Sequence, residues 1–454
     1  MSRDLTSGSV LKSVVFFSLP YLLAYFLQTL YGMADLFIIG QFGTVAEVTA
    51  VANGSQVMHM LTVIIVGLAM GATVTIGRCV GARNFPKAAR AIGNTATLFV
   101  ALSLVLAGVL LLNNRHIVAL IATPTEAVEG TVDYLKICFI GVPFITAYNI
   151  LSAVFRGMGD SKSPMYFIAV ACAVNVGLDY LFMGAWAMGP LGAALGTTLA
   201  QTVSVILALA VIVKRKIEIK ISAADFKPQK KTMTEILHIG VPVALQDGFI
   251  QVSFIIITII TNLRGLDDAA AVGVVEKIIG IFFLVPSSMS QAVSALAAQN
   301  IGAREYGRAK KALYYALIFA AGFGIIASAL THFGAEDLVR LFENDANVVF
   351  LGGQYLRSYV WDCVLAAVHF CFSGYFCALG KSGISFLHNF LSIVLVRVPG
   401  AYLASAMYAD TLFPMGLAAP AGSLLPVVIC LIAYAVLYHK EKERLLNGKA
   451  FANR

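Results

Sequence analysis

The chain has 454 residues, of which 59% are apolar and only 12% charged, and its mean hydropathy is +0.84. That composition excludes an ordinary soluble enzyme. The 32 Lys and Arg against 24 Asp and Glu leave a net charge of +8, which would suit nucleic acid if the basic residues were clustered on one face, but their placement along the chain points elsewhere.

A bilayer span needs about 20 apolar residues. Uncharged runs such as Leu98 to Asn113, Leu199 to Val213 and Phe413 to Tyr438 are too long for core helices of a soluble protein. In chain order the first half predicts spans at 13–40, 50–77, 91–112, 131–155, 164–184 and 191–213. The second half predicts 235–262, 272–299, 312–331, 351–379, 383–407 and 413–438. The runs are continuous rather than alternating, so they read as helices and not as barrel strands. Met1 to Ser13 is short and polar, and no A-x-A site follows the first span, so no cleavable signal peptide is expected. The expectation is an all-α polytopic membrane protein of about twelve transmembrane helices.

With the amino terminus inside and twelve spans following, the inner loops and tails hold 25 of the 32 basic residues. The outer loops hold only Arg115, Arg264 and Arg340, and lean acidic through Glu126, Glu129, Asp267, Asp268, Glu336, Asp337, Glu343 and Asp345. This bias places both termini in the cytoplasm and leaves no case for nucleic acid as a partner. The expected setting is a plasma membrane of bacterial or archaeal type. Seven scattered cysteines, none in a C-x-x-C pair, read as small buried residues rather than disulfides or metal ligands.

The chain also repeats itself. Gly81-Ala82-Arg83 recurs as Gly302-Ala303-Arg304, and Phe155-Arg156-Gly157-Met158-Gly159 recurs as Phe376-Cys377-Ala378-Leu379-Gly380, both at an offset of 221. Two echoes at one spacing imply a duplicated unit. The expected lobes are residues 1–214 and 235–454, joined by a basic cytoplasmic linker at 215–234 that faces the anionic inner leaflet. Six spans per lobe is an even number, so the lobes are parallel repeats about a pseudo-two-fold axis along the membrane normal. Duplicated halves in so apolar a chain mark a secondary transporter with its binding site between the repeats.

Polar residues at bilayer depth are costly and are functional candidates. Span one carries Gln28, Tyr31 and Asp35, spaced to stack along one helix face. Span four carries Tyr148 and Asn149, span five the i, i+4 pair Asn175 and Asp179, and span six Thr197, Thr198 and Gln201. Asn and Thr often bridge helices simply for packing. Asp35 and Asp179 are different, because no Lys or Arg shares their spans. Such carboxylates attract a proton or a small cation, and oxygen ligands suit a hard ion such as sodium. The second half carries Asp247, Glu276, Lys277, Arg357, Asp362, His369, His388 and Arg397, whose mixed signs suit mutual ion pairs. The aromatic and methionine content suits a cavity for flat or cationic organic molecules.

These residues resemble the multidrug and toxic compound extrusion (MATE) transporters over essentially the whole chain. The motifs that carry the resemblance are Gln28-x-x-Tyr31-x-x-x-Asp35 followed by Gly40, Val80-Gly81-Ala82-Arg83, Phe155-Arg156-Gly157-x-Gly159-Asp160-Ser161, and Asn175-x-x-x-Asp179 before Leu181-Phe182. The resemblance implies two six-helix bundles, alternating access, and export of organic cations against a proton or sodium gradient. It implies an ion site at Asp35, Asn175, Asp179 and Thr197 or Thr198, with sodium held by Asp35, Asn175 and Asp179 if sodium is the ion. It suggests Gln28, Tyr31 and Asn149 as neighbours and Pro20 as a bend point, and the polar Tyr148 and Gln201 join them as expected substrate-cavity residues. There is one departure. The branch that couples to sodium through its carboxy-terminal lobe carries a Glu in span seven and an Asp in span ten. Those places here read Ile250 or Gln251, and Ala366. The chain is therefore closer to the branch that relies on its amino-terminal lobe.

The function expected is efflux of small amphipathic compounds by a monomer among membrane lipids, with no cofactor beyond the coupling ion, H+ or Na+. The alternative is a lipid-linked precursor flippase of the same superfamily, which would need cavity cations such as Arg357, Arg397 or Lys277. An enzyme is not expected, because the chain has no nucleotide loop, no H-E-x-x-H, no Ser-His-Asp spacing and no aspartate-rich prenyl-diphosphate motif.

Overall fold

A computed structural model of the chain describes residues 4–214 and 219–452, with the backbone alone for 440–452. Arg3, Arg215, Lys216 and Arg454, which entered the charge argument, lie outside the described residues. Within them the protein is helical, and the long helices follow the apolar runs. The first six spans are Val10–Phe42, Val45–Gly81, Phe85–Leu112, Thr125–Gly157, Lys162–Ala185 and Gly189–Lys214. The next three are Lys230–Asn262, Leu266–Gly302 and Tyr306–Phe333, and the last two are Ser382–Met407 and Phe413–His439. Span ten is broken: Ala346–Tyr359 and Asp362–Ala378 meet at a 43° bend. Asp362, read from the sequence as a mid-span charge, in fact opens the second segment of this broken helix.

The observed helices overrun the predicted spans by several residues, because capping residues lie outside the apolar runs. Thr44 and Glu47 form a reciprocal capping box at the start of span two, with the Thr44 amide donating to Glu47 Oε2 at 2.7 Å. Two short helices went unpredicted. Asn114–Leu120 and Ala335–Arg340 follow spans three and nine and start 221 residues apart, so the duplication extends to segments too short to show apolar periodicity. Large apolar side chains such as Leu104, Val105, Ile206, Ile326 and Leu395 are 59–65% exposed. In water such a surface would be a liability; in a bilayer it is the lipid-facing coat.

The duplicated loops repeat their backbone too. Gly159 and Gly380 have φ of +90° and +66°, and Arg83 and Arg304 have φ of +53° and +63°. At the end of span four, Gly159 N–H donates to Arg156 O and Asp160 N–H to Phe155 O. At the end of span ten, Gly380 N–H donates to Cys377 O and Lys381 N–H to Phe376 O. Glycine is needed at 159 and 380 because this helix stop requires a left-handed residue.

The chain divides into two compact units that do not follow the repeat boundary. The first comprises Met1–Gly248, Gln291–Ala312 and Cys377–Gly380; the second comprises Phe249–Ser290, Leu313–Phe376 and Lys381–Arg454. The first unit thus contains all six spans of the first repeat together with the start of span seven, the end of span eight, the start of span nine and the end of span ten. Its cores centre on Ala72, Ile76, Phe99, Phe155 and Phe167, and on Ile38, Leu135, Phe139 and Val142. The second unit has its own core around Val275, Tyr355, Leu356 and Tyr359.

The described part of the linker, from residue 219, is folded onto the first repeat. Ala223–Phe226 forms a short 3-10 turn, and the following strap docks on span three. Asn94, fully buried, donates to Asp225 O at 3.0 Å and Lys227 O at 3.2 Å, and accepts from Gln229 N at 2.6 Å. Thr97 donates to Phe226 O at 2.8 Å. Gly93 leaves room for this approach, since a Cβ there would meet the Asp225 carbonyl.

Candidate functional site

The acids of spans one and five meet inside the first unit. Asp35 is 3% exposed, and Asn175 and Asp179 are fully buried. The Asp179 carboxyl lies against that of Asp35, with Asn175 beside them. Thr197 of span six donates its hydroxyl to Asp35 Oδ2 at 3.1 Å. Among the described residues no further group bonds Asp35 Oδ1 or either oxygen of Asp179, and the Asn175 amide oxygen is likewise unpartnered. Two carboxyls in contact, with one hydroxyl donor and with the basic residues of their helices, Lys12 and Lys162, at the opposite helix ends, need a proton or a cation to balance them. The unpartnered oxygens of three side chains are a donor set that suits a hard monovalent ion.

Local structure explains why these groups converge. Asn175 and Asp179 lie one turn apart at the end of the α-helix Lys162–Asp179, so both face one way. A π-helical segment, Tyr180–Ala185, follows at once. Such wide turns are rare and concentrate at functional sites. Span six supplies room as well as the donor. A Cβ on Gly196 would collide with Asp179 Oδ1 and lie 3.6 Å from Asn175 Nδ2, so the acid fits only because residue 196 is glycine. The sequence held this signal in Gly196-Thr197-Thr198, but a glycine in a span reads first as helix packing.

The remaining expected residues divide. Tyr31 lies near Asp35 with its hydroxyl beside Gln201, whose Oε1 has no donor. Gln28 is half-buried on the face that carries Tyr31. Of the two threonines, Thr197 bonds Asp35, whereas Thr198 turns toward Gly141 of span four. Tyr148 donates to Pro164 O at 3.3 Å, and Asn149 donates to its own helix at Ile145 O, 2.9 Å. Pro20 sits inside the unbroken helix Val10–Phe42.

The second unit presents the opposite electrostatics. Arg397, 8% exposed, donates to the Tyr359 hydroxyl at 2.6 Å and stacks 4.7 Å from the Phe254 ring. Asp362 and Glu276 lie within its field. Arg357 pairs with Glu336 at 2.9 Å. His369 packs against His388, ring centres 5.7 Å apart. The buried acids of this unit therefore face a cation that the Asp35–Asp179 pair lacks. All seven cysteines are buried and none is in a disulfide, and among the described residues no three His, Cys, Asp or Glu side chains converge to hold a metal.

Comparison with known proteins agrees with the repeat. The family model described as MatE matches residues 20–181 and again 242–403, the second match displaced by 222 positions. A "Probable multidrug resistance protein YpnP" of Bacillus subtilis is 28% identical over 403 residues, 89% of this chain and 90% of that one. A "Probable multidrug resistance protein YoeA" of the same organism is 25% identical over 372 residues, 80% of each. A solved multidrug resistance MATE family transporter in an outward-facing conformation superposes with a TM-score of 0.90 at 22% identity, over 97% of this chain and 98% of that one.

Proposed function

The chain belongs to the MatE family, and from that premise we propose that it exports small amphipathic, cationic organic compounds by alternating access, driven by inward movement of protons or sodium ions. The observation that carries this reading is the buried Asp35–Asp179 pair, bonded by Thr197 and lacking a basic partner. The names of the relatives in Bacillus subtilis support it. Occupation by the ion removes negative charge from the first lobe and weakens its hold on a cationic substrate, which then leaves on the outer side. A ligand shifts the balance between two faces only through its differential affinity for them. Two of the cations that a flippase of lipid-linked precursors would use are occupied, Arg397 by Tyr359 and Phe254, and Arg357 by Glu336, while the third, Lys277, is exposed.

The test is dye efflux from proteoliposomes under a proton gradient alone and a sodium gradient alone. Efflux under at least one is expected; none under either, with the protein folded and inserted, overturns the reading. The proposed setting is a plasma membrane of bacterial or archaeal type, with a single chain as the working unit and both termini in the cytoplasm. A cysteine placed at Lys230, where span seven begins, is accordingly expected to resist an impermeant thiol reagent added outside intact cells. Rapid labelling there would reverse the orientation.

A further inference from the structure

The duplicated motifs do more than end helices. Gly157 and Ala378 are the last helical residues of spans four and ten, and they are equivalents at the offset of 221. The caps described above use the carbonyls of residues 155 and 156, and of 376 and 377, but pass over these two. Each is met instead by a side chain from the other repeat. Arg78 donates through Nε and Nη2 to Ala378 O at 3.0 and 2.6 Å. Gln299 donates through Nε2 to Gly157 O at 2.8 Å. Arg78 and Gln299 are themselves equivalents at the offset of 221. The two bonds are therefore one interaction made twice, each repeat gripping the other.

Everything around them keeps the same symmetry. A Cβ on Gly81 would strike the Gln299 carbonyl, and a Cβ on its equivalent Gly302 would strike the Arg78 carbonyl. Gly77 and Ala298, also equivalents, face each other with a Cβ on Gly77 only 3.3 Å from that of Ala298. Residues 77 and 298 thus lie on the local two-fold, as the self-matching patch of a symmetric dimer does. The amino-terminal segment adds to one side: Asn300 donates to Leu5 O at 3.2 Å, and Arg308 to Ser7 O and Gly8 O at 2.9 Å each. All of these residues belong to the first compact unit.

We propose that Arg78 and Gln299 are the two arms of a pseudo-symmetric latch that holds the cytoplasmic ends of the repeats together and must let go once in each transport cycle. Helix carbonyls at a C-terminus are left without partners by the helix itself, and a guanidinium suits the negative end of the dipole. When the ends part, water replaces both arms at once, so the latch is strong when dry and cheap to release when wet. Its role in a cycle rests on the exporter reading above, but its closure is measurable without transport.

The experiment uses inside-out membrane vesicles and a membrane-impermeant maleimide, with labelling quantified residue by residue by mass spectrometry. Cys79 adjoins Arg78 and lies near Glu235 of span seven; it is 5% exposed. Cys138, fully buried in the first-repeat core, reports unfolding. The parent protein is expected to label slowly at Cys79. Arg78→Ala and Gln299→Ala are each expected to label it about tenfold faster, the shift that loss of a charge-assisted or well-formed bond to a carbonyl gives, with Cys138 silent. Arg78→Gln copies the opposite arm and is expected to stay within about twofold of the parent, for the same reason. Parental labelling of Arg78→Ala overturns the latch, as does an Arg78→Gln variant that labels as fast as Arg78→Ala. Should Arg78→Ala expose Cys138 as well, Gln299→Ala decides, and a parental rate there overturns the proposal. Failure of dye efflux leaves these rates untouched, so the latch and the exporter reading fail separately.

Discussion

Asp35→Asn vesicles are expected to lose gradient-driven efflux of a cationic dye, falling to the rate of protein-free vesicles, while the protein remains folded. The reason lies in the geometry of the acid pair. Asp35 and Asp179 are in contact, and among the described residues Thr197 is the hydrogen-bond donor to Asp35. An amide in place of Asp35 takes the Thr197 bond and removes the charge that an ion would balance, so packing is kept and ion binding is lost. Without an ion that distinguishes the two faces, the gradient does no work: swinging an equilibrium from 1:99 to 99:1 needs about 10⁴-fold differential affinity. Asp179→Asn is expected to cost nearly as much. Asp247→Asn is expected to cost much less, because Asp247 is only half-buried and its hydrogen bond is to the neighbouring Gln246. The measurement is dye efflux with each gradient imposed alone, beside thermal melting in detergent. Normal pumping by Asp35→Asn together with an inactive Asp247→Asn would move the site to the second repeat.

Gly81→Ala is expected to abolish transport without unfolding the chain, and Gly302→Ala to do the same. The added methyl of the first would land on the Gln299 carbonyl, and that of the second on the Arg78 carbonyl, closer than any carbon–oxygen contact allows. Both obstacles are backbone atoms and cannot rotate aside. Both glycines end ordinary α-helices, Val45–Gly81 and Leu284–Gly302, where alanine is favoured over glycine by about 1 kcal/mol. The cost therefore falls on the packing of these two helix ends against each other and not on the helix. Gly108→Ala, with nothing within 4 Å of its added carbon, is the control and is expected to transport normally. Should Gly81→Ala pump at the parental rate, the packing of Gly81 on Gln299 is not a state the working cycle passes through.

The two sites differ in how much of them is visible in the residue order. Asp35, Asn175 and Asp179 stand out because bilayer depth makes a lone carboxylate costly wherever it lies, a property of one residue in its own span. That they meet is a separate fact. It depends on Gly196 leaving room and on the π-helical segment after Asp179, neither of which has a local signature. The choice of Thr197 over Thr198 likewise follows from which side of span six faces span one, since Thr198 turns to Gly141 instead. Tyr148 and Asn149 carry the same polar signal as Tyr31, yet their bonds go to Pro164 and to Ile145. Polarity marks a residue as needing a partner without saying which partner it finds.

The residue order by itself determined the helices, their number and the duplication, because bilayer thickness imposes a length on every apolar run and copied loops keep their glycines. The break in span ten at Tyr359–Asp362 escaped it, since no proline or glycine stands at that point, the glycines of the run lying at 352, 353 and 374. So did the pairing of Arg78 with Ala378 and of Gln299 with Gly157. Those bonds join residues 300 and 142 positions apart, and nothing local to either partner specifies the other. The tertiary structure decided them, because a carbonyl left over at a helix end accepts from whichever donor the packing brings within reach.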